Sequence, residues 1–233
     1  MIPMRKDNVV PVIAIDGPSG SGKGTIARRV STALGWHLLD SGALYRLLAL
    51  AAQRAGIGAS REAELARLAA GLEVGFRVDE RGEELILLAG EDVTRAIRSE
   101  DCGRRASAIA PLPAVRAALL GLQHDCRREP GLVADGRDMG TLVFPEAGLK
   151  VFLTASAERR AERRHKQLKD KGIDVSLPAL SRDIEERDRR DAERLVAPLR
   201  PAEDARLLDS SDLTIDEVTR TVLDWAQQLI SPK

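Results

Sequence analysis

Hydrophobic residues first form a nearly continuous run from Val9 to Asp16, which predicts a strand buried on both faces of a parallel sheet. A glycine-rich turn follows, and apolar residues then recur at helical spacing until Gly35, a residue suited to the end of a helix. Trp36 to Asp40 predicts a second short strand, and a helix is predicted from Ser41 toward Gly56. This alternation indicates a βαβ fold with right-handed crossovers.

The pattern changes to short alternating runs from about Leu72 to Ile97. Leu72–Val78 and Glu84–Leu88 predict two strands joined across Asp79–Gly82, which is typical of a hairpin. We interpret this stretch as a small antiparallel insert in the α/β core. A helical pattern returns from Arg104 to Arg128.

The C-terminal part of the chain resumes the alternation of strands and helices. Further strands are predicted at Leu132–Ala134, Leu149–Leu153 and Arg206–Leu208, and further helices at Ala157–Gly172, Ser176–Glu193 and Leu213–Ile230. The sequence has no internal repeat and no clear linker between domains. An α/β domain that carries an insert is therefore the predicted class.

The composition narrows the class of protein without identifying it. A chain of 233 residues with 43% hydrophobic residues and a formal net charge of zero is expected to fold as one α/β domain or a core with insertions. No apolar run approaches the roughly 20 residues of a membrane-spanning helix, so we expect a soluble, cytoplasmic protein with no membrane partner. Cys102 and Cys126 fit no metal-binding spacing, so reduced thiols are expected.

Arginine dominates the basic residues, with 29 Arg among the 36 Lys and Arg. Arginine binds planar oxyanions through a bidentate fork, although a GC-rich genome also produces such a bias. Because the enrichment comes without net positive charge or interleaved aromatic residues, we expect no nucleic-acid partner.

The strongest local motif lies directly after the first predicted strand and before the first predicted helix. Its residues are Gly17, Pro18, Ser19, Gly20, Ser21, Gly22, Lys23, Gly24 and Thr25. Glycines let backbone N–H groups face phosphate oxygens, and the helix N-terminus adds the positive end of its dipole. Lys23 is placed to reach the β- and γ-phosphates of a nucleotide.

This motif departs from the strict GxxxxGK[ST] pattern because Gly24 follows the lysine and the hydroxyl arrives at Thr25. We therefore expect Thr25 to hold a metal through water rather than directly. A phosphate loop by itself is compatible with a GTPase, a motor ATPase or a small-molecule kinase. The absence of an NKxD-like segment and of a long motor domain favours the kinase.

A second group of charged residues, Asp135 to Gly140, follows a predicted apolar strand. The carboxyl end of a sheet strand is where α/β proteins bind ligands, so this turn is expected beside the phosphate loop. Arg137 is suited to neutralise phosphate and Asp138 to accept hydrogen bonds from a substrate. Asp135 is suited to order Arg137 or the metal shell.

The predicted helix after Ser176 carries an apolar stripe, Leu177, Leu180 and Ile184, whose register continues to Arg187, Asp191 and Arg194. If the first half of the helix packs on the core, its second half directs the charged residues into the phosphate cleft. The alternative is a helix that emerges into solvent and pairs Arg187 with Asp191. Spacing alone leaves both possibilities open.

The segment Asp40 to Arg46 also follows a strand. Ser41 is suited to cap the helix that begins there. Tyr45 fits either the core or a ligand contact.

Four segments together resemble the bacterial cytidylate kinases, and the resemblance runs over nearly the whole chain. They are Gly17–Thr25, Leu39–Arg46, Ala134–Thr141 and Glu186–Asp191. The resemblance implies the P-loop nucleoside-monophosphate kinase fold: a five-stranded parallel sheet with helices on both faces, a monophosphate-binding insert and a helical lid. It further implies that ATP and Mg²⁺ serve to phosphorylate CMP and dCMP in pyrimidine metabolism.

The resemblance also assigns roles to individual residues. Positions that match residues holding the sugar hydroxyls are Ser41 and Asp191. Positions that match arginines acting on phosphate are Arg46, Arg137 and Arg194, with Arg187 as a lid arginine on the transferring group. Positions that match residues reading the cytosine edge are Ser107, Arg116 and Asp138. Lys23, Arg137, Arg187 and Arg194 are thereby expected to be catalytic.

These assignments predict direct in-line phosphoryl transfer in a monomeric kinase domain. The core is expected at about 1–60, 104–160 and 196–233, the insert at about 61–103 and the lid at about 161–195. A kinase for another small acceptor, such as a different monophosphate or a shikimate-like metabolite, is the alternative within enzymes. A nucleotide-binding regulator that transfers no phosphate is the alternative from another class.

Overall fold

The computed structural model describes residues 10–78, 84–169 and 175–230. By its internal contacts the chain divides into two compact units. Residues 1–39 and 126–233 form the first, here called the sheet unit, and residues 40–125 form the second, here called the helical unit.

The first half of the chain contains β1 (Val12–Asp16), α1 (Lys23–Leu34), β2 (His37–Asp40), α2 (Ser41–Arg54), α3 (Glu62–Ala70), β3 (Val74–Val78), β4 (Glu84–Leu88), β5 (Glu91–Asp92), a 3-10 turn (Ala96–Arg98), α4 (Glu100–Ile109) and α5 (Pro113–His124). The second half contains β6 (Leu132–Gly136), a π-helical turn (Met139–Val143), β7 (Leu149–Thr154), α6 (Ala157–Lys169), α7 (Leu177–Ala192), β8 (Arg206–Asp209) and α8 (Ile215–Ile230).

The central sheet has five strands in the order β2-β6-β1-β7-β8. The β1–β6, β1–β7 and β7–β8 pairs are parallel. Their registers place Asp16 level with Gly136 and Phe152, and Thr154 level with Asp209. The carboxyl ends of these strands therefore meet at one edge of the sheet, where the loops after β1 and β6 begin.

The core of the sheet unit is formed by the buried strands and by one face each of α1 and α8. Its fully buried members include Ile13, Ile15, Val30, Val133, Val151 and Val222. β1 and β6 are buried at every residue, as expected for central strands of a parallel sheet. Gly35 ends α1 with a left-handed φ of 65°, which confirms the predicted helix end.

The helical unit has its own apolar core, drawn from α2, α3, α4, α5 and the small sheet β3-β4-β5. β3 and β4 pair antiparallel, as the alternating runs predicted. The predicted connection between them includes residues 79–83, which lie outside the described residues. Within the described ranges, no single helix is long and apolar enough to cross a membrane. The helices Glu100–Ile109 and Pro113–His124 reach the required length and apolar content only when they are taken together, and the chain bends by 107° between them.

The predicted fold class is confirmed, because a five-stranded parallel sheet is surrounded by helices and a smaller antiparallel sheet lies in the inserted unit. The helical pattern predicted from Arg104 to Arg128 corresponds to two helices, α4 and α5. Pro111 and Pro113 lie at the break between them, and Pro113 begins α5. The short α3 was not predicted. The last residues of the helix predicted to end at Gly172 lie outside the described residues.

The apolar stripe of α7 left open whether the first half of the helix packs on the core. In the structure Leu177 is 39% exposed and Leu180 and Ile184 are half-buried, so that half is only partly covered. Asp191 is the residue of α7 that is buried. The helix is therefore held by charged contacts in its second half.

Candidate active site

The phosphate loop connects β1 to α1 at the carboxyl edge of the sheet. Gly17 approaches β7 so closely that a Cβ at this position would lie 2.0 Å from the carbonyl oxygen of Leu153. Lys23 is the first residue of α1 and is buried, and its Nζ donates to the carbonyl of Pro18 at 3.3 Å. The lysine thus spans the loop.

The N-terminus of α1 is suited to an anion. Gly22 is its N-cap and has no side chain to occupy the free backbone N–H groups, and the first turn carries no acidic residue. Lys23, the first residue of the helix, adds its positive charge to that of the helix dipole at this end. The local geometry agrees with the phosphate loop predicted from sequence.

The unusual Gly24 has a structural explanation in β6. A Cβ at position 24 would lie 3.1 Å from Oδ2 of Asp135, closer than side chains normally approach. Oδ1 of the same carboxylate lies 4.0 Å from Nζ of Lys23. The side chain of Asp135 therefore lies against the start of α1, while Thr25 is exposed.

Asp16 is a site residue for which the sequence analysis predicted no role. Its carboxylate is 5% exposed and accepts hydrogen bonds from the backbone N–H groups of Met139 and Gly140, both at 2.8 Å. Burial raises the pKa of Asp16 to about 6, the two N–H groups oppose that rise, and the nearby charge of Asp138 adds to it. A carboxylate at the end of a buried strand, directly before the glycine loop, was the available signal.

Three of the predicted phosphate and sugar residues come together around one carboxylate. Asp191 is 1% exposed and accepts from Nε of Arg137 at 3.2 Å and from the guanidinium of Arg194. Two guanidinium groups on one carboxylate leave a net positive charge, which suits a phosphate.

Two sequence expectations bear on this cluster. Asp191 orders Arg137, a role for which Asp135 was one candidate. Asp191 does not emerge into solvent, as one alternative for this helix supposed, because it is buried and binds Arg137 and Arg194. Arg194 lies just beyond α7, which ends at Ala192.

Arg187 and Asp138 complete the predicted residues of the sheet unit. Arg187 is half-buried on α7, one turn before Asp191. Asp138 is 4% exposed and precedes the π-helical turn whose first two N–H groups bind Asp16.

The other predicted residues belong to the helical unit. Arg46 donates to the carbonyls of Ile97, at 2.7 Å, and Ser99, at 3.1 Å, so its guanidinium lies at the start of α4. Arg116 donates to the carbonyl of Ala110 at 3.2 Å, which brings it to the end of the helix that carries the half-buried Ser107.

The N-cap of α2 is Asp40, one residue before the predicted Ser41. Oδ1 of Asp40 accepts from the N–H of Ala43 at 2.9 Å, so Asp40 is the N-cap and Ser41 is the first residue of the helix. The 3% exposed Ser41 is therefore not needed for capping. Tyr45 lies in the apolar core of this unit.

Two arginines of α6 brace the phosphate loop from outside and had no predicted role. Arg160 donates to the carbonyl of Ser19 at 3.1 Å, and Arg163 donates to that of Ser21 at 3.4 Å and to Oγ of Ser210 at 3.2 Å. Their spacing of three residues places them on one face of α6. The only signal in the sequence was that spacing within a highly charged helix.

Comparison with known proteins gives a consistent result. A family model described as cytidylate kinase matches residues 13–228. The cytidylate kinase of Cupriavidus necator is 58% identical over 217 residues, covering 93% of this chain and 96% of that protein. The cytidylate kinase of Pseudomonas syringae pv. tomato is 60% identical over 214 residues, covering 91% and 93%.

A solved structure supports the fold alone. The crystal structure of an uncharacterized protein from Eubacterium ventriosum superposes with a TM-score of 0.52 at 12% identity, covering 94% of this chain and 98% of that one.

Proposed function

Because the chain belongs to the cytidylate kinase family, we propose that it transfers the γ-phosphoryl group of ATP to the phosphate of CMP or dCMP. The products are ADP and CDP or dCDP. The observation that carries the proposal is a phosphate loop spanned by Lys23 in the same unit as two arginines that converge on buried Asp191.

The donor nucleotide is proposed to bind at the N-terminus of α1. The backbone N–H groups of the loop and the Lys23 ammonium group neutralise the β- and γ-phosphates. Ser21 and Ser19 have their carbonyls bound by arginines of α6, so the loop backbone is held before a nucleotide arrives. Such preorganisation lowers the reorganisation cost at the moment of transfer.

The acceptor needs positioning and charge neutralisation more than a base. The CMP phosphate already carries an anionic oxygen that can attack, so catalysis rests on orientation and on cancelling charge in the loose transition state. Arg137 and Arg194 are proposed to bind the reacting phosphates, with Arg187 on the transferring group. Asp191 holds the two arginines and keeps lone pairs available for a sugar hydroxyl.

Recognition of cytosine is proposed to use Ser107, Arg116 and Asp138, with Ser41 on the sugar and Arg46 on the monophosphate. Cytosine offers an amino donor beside ring-nitrogen and carbonyl acceptors, which a carboxylate and an arginine complement. Uracil lacks that donor and leaves the carboxylate unpaired, at a cost of about 1–3 kcal/mol. The residues near 61–103 are the proposed monophosphate side and those near 161–195 the proposed lid.

The residues at the loop fit a magnesium ion. Thr25 offers a hydroxyl at the start of α1, and the carboxylate of Asp135 lies against Gly24 beside it. Magnesium typically takes one or two protein oxygens and completes its shell with water and substrate phosphates. We propose that Thr25, through water, and Asp135 hold the ion, which would neutralise phosphate charge when bound.

The test is a coupled ADP-release assay with ATP and a panel of CMP, dCMP, UMP, AMP and shikimate, with products identified by chromatography. We expect fast turnover with CMP and dCMP, slower turnover with UMP, and none with shikimate. Turnover of another acceptor in preference to CMP would support the alternative kinase, and nucleotide binding without any transfer would support the regulator.

We also propose that the enzyme is monomeric and cytoplasmic. Sedimentation equilibrium tests whether it is a monomer.

A further inference from the structure

Arg160 is a buried arginine whose donors are directed to three different parts of the sheet unit. Its side chain is 6% exposed. Nε donates to the carbonyl of Ala155 at 2.9 Å, and Nη1 to that of Ser19 in the phosphate loop at 3.1 Å. The two terminal nitrogens also bind both carboxylate oxygens of Asp188, Nη1 at 3.0 Å from Oδ1. A bidentate pair of this kind orients the guanidinium as well as neutralising it.

The stem of Arg160 packs against the same loop that its guanidinium contacts. A Cβ at Gly20, whose φ is +80°, would lie 3.2 Å from the Cβ of Arg160. A side chain at position 20 would therefore force Arg160 away from the loop. Arg160 thus touches the loop through both its stem and its head group.

Asp188 lies on α7 three residues before Asp191, so the two carboxylates share a face of the helix. Asp188 binds the arginine that contacts the phosphate loop, and Asp191 binds Arg137 after β6. α7 is therefore attached at two neighbouring points, one on the donor side and one on the acceptor side. Arg187 directly precedes the first of these attachment residues and lies one turn before the second.

Other ion pairs of α7 are different in kind. Arg190 with Glu186 and Arg189 with Glu193 have all four side chains at least half exposed, and each pair joins residues of the same helical segment. Exposed pairs at this spacing contribute little. Asp188 with Arg160 instead joins α7 to α6 and to the phosphate loop.

We propose that Asp188 is a positioning residue for phosphoryl transfer: through Arg160 it ties α7 to the phosphate loop and so sets Arg187 against the transferring group. This inference rests on the proposed kinase function. The role proposed for Asp188 requires no contact between its carboxylate and either nucleotide. Its loss leaves the loop able to bind ATP and Asp191 able to hold Arg137, so it affects the reacting geometry more than ground-state binding.

The test is steady-state kinetics of the full chain with ATP and CMP for the wild type, Asp188→Asn, Asp188→Glu and Asp183→Asn. Asp183 is the matched control, because it is an exposed carboxylate on the same helix. For Asp188→Asn we expect kcat to fall about 10- to 100-fold with both KM values within about threefold of wild type. Asp183→Asn should behave as wild type, and Asp188→Glu, which keeps the charge, should lie between.

A kcat near wild type in Asp188→Asn, or a change confined to KM, would overturn the positioning role. Thermal unfolding of each variant establishes that it is folded at the assay temperature. If Asp188→Asn is unfolded at that temperature, the kcat of Asp188→Glu decides whether Asp188 has the positioning role. Wild-type turnover in the same assay separates the proposed kinase function from the proposed positioning role of Asp188. A wild type inactive on CMP refutes the proposed function, whereas an active wild type with an equally active Asp188→Asn refutes only the positioning role.

A double-mutant cycle of Asp188 and Arg160 measures the coupling of their effects on kcat, which a general loss of stability would not produce. Arg160→Lys keeps the charge and loses the bidentate fork. If Asp188 acts through Arg160, the double variant should have a kcat no lower than the slower single variant. Losses that multiply would show that the two residues act separately, which contradicts the proposal.

Discussion

Asp16 is a carboxylate whose properties come from where the fold places it. The side chain ends a buried strand and holds the two N–H groups that begin the turn after Asp138. Burial disfavours its charged form and raises its pKa to about 6, against the opposing effect of Lys23 and the two hydrogen bonds. A group of this kind makes stability depend on pH.

The sign of this dependence follows from the direction of the shift. The folded protein binds the Asp16 proton more tightly than the unfolded chain, whose carboxyl titrates near the ordinary value of 3.8. The contribution to the free energy of unfolding is therefore full below that value and lost as pH rises through about 6.

Relative to Asp16→Asn, wild type should lose about 2 kcal/mol of unfolding free energy between about pH 4.5 and about pH 7.5. Urea unfolding of both proteins at the two pH values measures the difference. A difference that stays constant with pH would contradict the assigned shift.

Ser21 in the phosphate loop and Ser210 beside it are two buried serines with opposite hydrogen-bonding states. The hydroxyl of Ser21 is buried and has no hydrogen-bond partner among the described residues. The hydroxyl of Ser210 lies within hydrogen-bond distance of the carbonyls of Thr154, at 3.0 Å, and Ser21, at 3.2 Å, so its one O–H donates to either, and its oxygen accepts from Arg163.

Ser21→Ala should keep or slightly raise the free energy of unfolding, because it removes an unsatisfied buried hydroxyl. Ser210→Ala should lower it by about 1 kcal/mol, because it removes a buried hydrogen bond while the carbonyls of Thr154 and Ser21 keep the backbone N–H of Ser210 and Arg163 as donors. Denaturant unfolding of the two variants side by side checks the contrast, and a larger loss in Ser21→Ala would refute it.

At the scale of the elements, α7 shows how a periodic pattern can mislead. Its leucine and isoleucine stripe has the right spacing to pack on a core, yet those residues are exposed or half-buried. What the helix buries is Asp191, in contact with two arginines. Periodicity records which residues share a face, whereas the neighbour that the face meets depends on the rest of the chain.

The start of α2 gives an element-scale prediction. Asp40 caps the helix and Ser41 does not, so Asp40→Ala should lower the free energy of unfolding by about 1 kcal/mol. Ser41→Ala should cost less stability and instead raise the KM for CMP, since Ser41 is proposed to contact the sugar. Thermal unfolding together with kinetics separates the two effects. A greater loss of stability in Ser41→Ala would contradict this assignment of the cap.

At the scale of the whole molecule, zero net charge conceals local positive fields. The 36 basic residues are balanced by 36 acidic ones, yet Arg137 and Arg194 share a single carboxylate, and Lys23 lies at a helix N-terminus. Such fields suit small anionic substrates.

Ligand binding should stabilise the whole chain by linkage. ATP or CMP at about 100 times its Kd should add about 3 kcal/mol to the free energy of unfolding. Lys23→Ala should lose most of the stabilisation by ATP and keep that by CMP, and Arg116→Ala should lose most of the stabilisation by CMP and keep that by ATP. Thermal shift assays measure these changes.

Lys23→Ala and Arg187→Ala should also lower kcat by about 100-fold or more with little loss of stability. Turnover assays measure this loss, and near-normal turnover in either variant would overturn the catalytic assignments.

Much of the sheet unit could be predicted because its signals are local. Strand, glycine loop and helix are adjacent in the chain, and each is specified by residues within a few positions of it. The cap of α2 was misplaced by one residue because Asp40 and Ser41 are both good capping residues and only the backbone distinguishes them. The break between α4 and α5 was signalled by two prolines but outweighed by the helical pattern on either side.

By itself, the sequence determined the order of the main strands and helices of the sheet unit, the phosphate loop and the resemblance to a kinase family, because these depend on neighbouring residues or on motifs in a fixed order. Tertiary structure alone decided which charges meet. Arg137 and Asp191 are 54 residues apart and Arg160 and Asp188 are 28 apart, and many other acidic residues were available to each arginine. Charge attraction has no sequence period, so only the packing of α6, α7 and the strand ends selects the partners.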